Sequence, residues 1–126
     1  MTIVLDAGAL VAVERYDRDM VALIKRERIE NRAPVTSGGV VGQVWRGGHG
    51  RQANLARFLP GVDVRPIDDG LGRRVGVLLG EAGSSDVIDA AVVLLAHDGD
   101  ELYTSDPEDL RILAQVAGRH VDLIPI

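Results

Sequence analysis

No cysteine occurs among the 126 residues. That excludes a disulfide scaffold, a thiolate zinc site and a cysteine nucleophile. Lysine is nearly missing as well: of 14 basic residues only Lys25 is a lysine, and the rest are arginines. With Lys25 isolated, no GxxxxGK[ST] phosphate loop exists, and no GxGxxG follows the first apolar run. Arginine suits planar, bidentate contacts to phosphate and carboxylate, although codon usage produces the same imbalance. The three histidines, His49, His97 and His120, share no metal-ligand spacing. Aromatic residues make up 3%, with Trp45 the one tryptophan. No apolar run reaches the roughly 18 residues of a membrane span. The start, Met1 to Asp6, lacks a basic region and meets an acid at once, unlike a signal peptide, so a soluble cytoplasmic protein is expected.

What is present is a chain that is 46% hydrophobic and 26% charged. This is enough apolar material, spread along the whole length, for one core and one domain over 1–126. Nineteen acids outnumber the bases, giving a net charge of −5. A generic nucleic-acid binder is usually basic, so the balance argues against one. It leaves open an enzyme that meets nucleic acid through a metal ion.

Apolar patterning predicts alternating strands and helices. Ile3-Val4-Leu5 reads as a buried strand, followed by a turn and a helix to Glu14 in which Gly8 weakens the start. Asp19 to Glu30 has helical amphipathy. Pro34-Val35-Thr36 is a second strand, and Ser37 caps a helix over Val40 to Arg46. The glycine stretch Gly47-Gly48-His49-Gly50 is the one flexible-looking segment. A short helix runs from Gln52 to Leu59, and Pro60-Gly61 stops it. Val62 to Ile67 alternates as a strand, Asp69 to Glu81 is helical, and Asp86 to His97 reads as a helix buried on most sides. Glu101 to Thr104 is a strand. Pro107 to Val116 is a helix with proline in its first turn, and Val121 to Ile126 is a last strand. Such alternation is the signature of a parallel sheet with helices on both faces.

In open parallel sheets, sites lie beyond the carboxyl ends of the strands. Asp6 ends the first strand and Asp106 follows the fourth by two residues. Asp86 heads the buried helix, with Asp89 one turn later on the same face. Each of Asp6, Asp86 and Asp106 is also a reasonable helix N-cap. Taken together, clustered carboxylates raise one another's pKa unless a cation lies among them, and oxygen-only donors suit Mg²⁺ or Mn²⁺. Both readings stand on the pattern alone.

Three segments, Val4-Leu5-Asp6-Ala7-Gly8-Ala9-Leu10, Ser85-Asp86-Val87-Ile88-Asp89-Ala90-Ala91 and Tyr103-Thr104-Ser105-Asp106-Pro107-Glu108-Asp109-Leu110, resemble the PIN domain. The branch they most resemble is the VapC-type toxin ribonucleases of bacterial toxin–antitoxin pairs. The resemblance covers essentially the whole chain. It implies a three-layer α/β sandwich with about five parallel strands in the order 3-2-1-4-5. It further implies a Mg²⁺- or Mn²⁺-dependent endoribonuclease, an antitoxin partner and a homodimer. Residue by residue, Asp6, Asp86 and Asp106 match the family's metal-binding, catalytic acids, and Thr104 matches its supporting hydroxyl. Asp89 and Asp109 are nearby acids that hold water or brace the pocket. One position departs from the pattern. Gln43 stands where the family's second acid, a glutamate, is usual. Gln43 offers an oxygen but neither charge nor proton acceptance, so Glu14 or Asp89 is the stand-in, or the site is weakened to a module that binds a partner or RNA.

Arg46 and Arg51 flank the glycine stretch and are candidates for RNA phosphates. Arg57, Arg73 and Arg74 read as solvated or ion-paired helix positions, and Trp45 as core or subunit interface. The apolar stretch Leu55 to Leu59 is a candidate dimer surface. A phosphorylatable receiver-type domain also gathers acids at a strand end. It needs a lysine after a late strand and an acidic pair after the first, and this chain has neither.

Overall fold

A computed structural model describes all 126 residues. Its strands are β1 (Ile3–Leu5), β2 (Val35–Ser37), β3 (Asp63–Arg65), β4 (Glu101–Thr104) and β5 (Asp122–Pro125). Its helices are α1 (Ala7–Glu14), α2 (Arg18–Ile29), α3 (Gly38–Val44), α4 (Ala53–Phe58), α5 (Asp69–Ala82), α6 (Val87–Leu95) and α7 (Pro107–Val116). Short 3₁₀ turns, Gly50–Gln52 and Leu59–Gly61, flank α4, so the helix expected from Gln52 to Leu59 is tighter at both ends.

All strand pairs are parallel, in the order β3-β2-β1-β4-β5. Val4 is paired with Val35 on one side and Leu102 on the other. β1 is therefore central, and its three residues are buried on both faces, which explains the unbroken apolar run. Parallel neighbours need crossover helices. From β1 the chain steps outward through β2 to β3, then crosses back through α5 and α6 to β4. Helices α1 to α4 pack together as one layer, and α5, α6 and α7 as the other. The strand order reverses between β1 and β4, and that switch point is where ligands bind in open sheets.

The core confirms the buried-helix reading. Ala90 to Val93 of α6 have no exposed surface and lie under the sheet with Ile3, Leu5 and Leu102. Two surface expectations are corrected. Leu55 and Phe58 belong to the core, leaving no apolar face there for a second subunit. Of the two readings of Trp45 only the core one falls, since its indole lies at the surface over Gly48. No helix is long and apolar enough to cross a membrane.

Candidate active site

β1 ends in Asp6, whose backbone N–H continues the sheet by donating to the Tyr103 carbonyl at 3.0 Å. That bond places the Asp6 carboxylate at the end of β4. There Thr104 Oγ1 donates to Asp6 Oδ2 at 2.9 Å and accepts from the Asp106 N–H at 2.9 Å. One buried hydroxyl thus links both acids across the switch point. No buried side-chain oxygen lacks a partner, so the second Asp6 oxygen, which has no protein donor, reaches solvent.

The cap reading is settled acid by acid. Asp86 is a true N-cap: its Oδ1 accepts from the Asp89 N–H at 2.9 Å at the head of α6. Asp6 and Asp106 occupy cap positions before α1 and α7, but neither side chain makes a capping bond. Their carboxylates remain available for other work.

Electrostatics show which acids face one another. The Asp89 pKa is raised from 3.8 to about 6 by burial first, then by the charges of Asp86, Asp6, Asp106 and Asp109. Five aspartates from β1, α6 and the start of α7 therefore share one region. Asp86, Asp89 and Asp109 line a cleft of about 340 Å³ there, with Ser84 and Leu113 among its walls. No three of these carboxylates converge as a ready-made cage. Their chemistry nonetheless fits a hard divalent cation. All donors are oxygens, their mutual repulsion calls for positive charge, and Mg²⁺ keeps several waters while bound through one or two carboxylates.

A second cleft, of about 410 Å³, runs beside α1 and holds the remaining candidates. Gln43, Arg46 and Arg51 line it, with Glu14 and His49. Ala7, adjacent to Asp6, is part of its wall. Glu14 is engaged: its Oε1 accepts from Gln52 Nε2 at 2.7 Å. Asp89 lies within the carboxylate group, whereas Glu14 lies in this second cleft with Gln43. Arg46 is also partly engaged, because its Nη1 donates to the carbonyls of Trp45 at 2.7 Å and Gly42 at 3.2 Å. Arg73 pairs with Asp69 across one helical turn, and Arg57 lies over the Phe58 ring. Gln52 was missed as more than the start of a helix, since only the fold shows what its amide touches.

Among solved structures, the chain superposes on a chain of VapBC2 from Rickettsia felis, crystallised with a DNA fragment from their promoter. The TM-score is 0.70 at 12% identity, with 98% of each chain covered. That likeness establishes a shared fold, the PIN-like sandwich. No protein-family model matches the chain. No curated protein matches it in sequence.

Proposed function

We propose that this chain is a metal-dependent endoribonuclease and the toxin half of a toxin–antitoxin pair. One observation carries the reading: the Thr104 hydroxyl ties Asp6 to Asp106 at the carboxyl ends of β1 and β4, Asp86, Asp89 and Asp109 line one cleft, and burial, then the charges of the other four acids, raises the Asp89 pKa to about 6. Asp6, Asp86 and Asp106 would hold the ion. When bound, Mg²⁺ or Mn²⁺ offsets the acids' charge, polarises water and stabilises charge on a phosphodiester. Thr104 fixes the orientation of Asp6 through its hydroxyl. Asp89 and Asp109 hold water at the rim. Arg51 and the free nitrogens of Arg46 meet the RNA phosphates. The solved neighbour is a two-component assembly on promoter DNA, which supports an antitoxin partner for this chain.

Gln43 favours a second reading. It is exposed, uncharged and lies in the cleft next to Ala7, so the site has one acid fewer than the family pattern. A weakened module that binds RNA or an antitoxin follows from that deficit. Cleavage of an end-labelled single-stranded RNA in Mn²⁺ and in EDTA separates the two. The nuclease reading expects fragments that disappear in EDTA and in both Asp6→Asn and Asp106→Asn. Fragments that survive both substitutions would sink it. Binding without cleavage, with activity gained in Gln43→Glu, identifies the weakened module.

A further inference from the structure

The cleft beside α1 is held together by one side chain. Gln52 is 5% exposed, and its amide makes four hydrogen bonds. Its Oε1 accepts from the N–H groups of Arg46 at 2.7 Å and Gly48 at 3.1 Å. Its Nε2 donates to Glu14 Oε1 at 2.7 Å and to the Val44 carbonyl at 2.8 Å. A primary amide has two hydrogens to donate and two lone pairs to accept with, and all are used here. The bonds join α1, the end of α3 and the glycine turn that follows it.

That turn has little freedom left. Gly47 and Gly48 adopt φ of 105° and 73°, and a Cβ on Gly48 would lie 2.4 Å from the Trp45 ring. Left unpinned, so many glycines impose a large ordering cost on any contact they make. The turn presents His49 and Arg51 to the cleft. Arg51 is exposed and lies in no ion pair, whereas Arg46 is turned back onto helix carbonyls.

We propose that Gln52 is a positioning residue that fixes the segment from Arg46 to Arg51, so that Arg51 and His49 meet a backbone phosphate of single-stranded RNA. The inference rests on the ribonuclease reading and adds to it the device that orders the substrate-binding turn before RNA arrives. Preordering removes that entropy loss from the binding step. An amide is required because it serves two N–H donors and two oxygen acceptors at once. Leucine at 52 leaves all four unpaired.

Fluorescence anisotropy of a labelled single-stranded RNA in EDTA reads binding without cleavage. Gln52→Leu is expected to weaken it by about tenfold. Because that variant leaves buried groups unpaired, two gentler variants test the same bond. Glu14→Gln and Glu14→Ala remove the same negative charge from the cleft, but only glutamine still accepts from Gln52. Charge alone makes both bind RNA equally, and more tightly than the unchanged chain. Positioning makes Glu14→Ala several-fold weaker than Glu14→Gln at equal melting temperature. Equal affinities for the two overturn the proposal and leave the ribonuclease reading standing. An unchanged chain that neither binds nor cleaves RNA overturns both.

Discussion

Asp6 and Thr104 lie 98 residues apart in sequence and 2.9 Å apart in the fold. The hydroxyl both donates to the carboxylate and receives the Asp106 N–H, so its loss strands two polar partners in a buried place. Thr104→Val is isosteric and is expected to cost about 1–3 kcal/mol in urea unfolding, with Thr104→Ser close to the original. Asp89 acts in the opposite direction. Its pKa is raised on folding, from 3.8 to about 6, so the folded state holds the proton more tightly than the unfolded chain. The protonated carboxyl favours the fold at low pH, and that contribution is lost as pH rises through 6. Asp89→Asn is therefore expected to stabilise the metal-free protein at pH 7.5 by about 1 kcal/mol, solvent screening of a part-buried group reducing the full effect. Melting temperatures measured in EDTA from pH 4 to 8 check this, the gap closing toward pH 4. The acids were legible in sequence because strand ends and helix starts can be read from apolar runs. Which of them cap and which do not was not legible, because Asp6, Asp86 and Asp106 occupy equivalent positions before helices and only tertiary contacts tell them apart. Gln52 was illegible for the same reason: its four partners come from three elements.

Among the elements, α1 shows how a local penalty is explained by a neighbour. Gly8 disfavours a helix start by propensity, yet it lies in the first turn of α1. A Cβ there would stand 2.8 Å from Ser105 Oγ and 2.9 Å from its Cβ. The turn after β4 is packed against the helix that leaves β1, which draws Asp106 toward Asp6. Gly8→Ala gains helix propensity but forces this contact apart. It is expected to lower stability by about 1–2 kcal/mol, with partial recovery in a Ser105→Gly background, as measured by thermal melting. Most elements were legible from alternation and periodicity, and Ser37 caps α3 as expected, accepting from the Val40 N–H at 3.2 Å. The edges were less so. The strand read over Val62 to Ile67 is paired only at Asp63–Arg65, because an edge strand loses its partner before it loses its pattern. The amphipathy of Leu55 to Leu59 was real, but it faces the core of this chain.

For the molecule as a whole, a net charge of −5 hides an uneven distribution. Carboxylates line one cleft, while Arg46 and Arg51 line another, walled by α1. A cation binding among the acids inverts the local sign and stabilises the folded state by mass action. Millimolar Mn²⁺ is expected to raise the melting temperature by several degrees in the unchanged chain, and by little in the double variant Asp6→Asn, Asp106→Asn. An equal rise in both places the ion elsewhere. The strand order has a further consequence, which lies in time. β1 is the sheet's centre but leaves the ribosome first, while β4, its neighbour on the site side, begins at Glu101. Until β4 is made, the chain contains Asp6, Asp86 and Asp89 and can set β2 on one side of β1, but it has no strand for the other side and no Thr104 hydroxyl to hold Asp6. Activity that depends on this pairing is silent until β4 is in place. The translation machinery that makes the protein meets the proposed cutting site only after β4 has emerged.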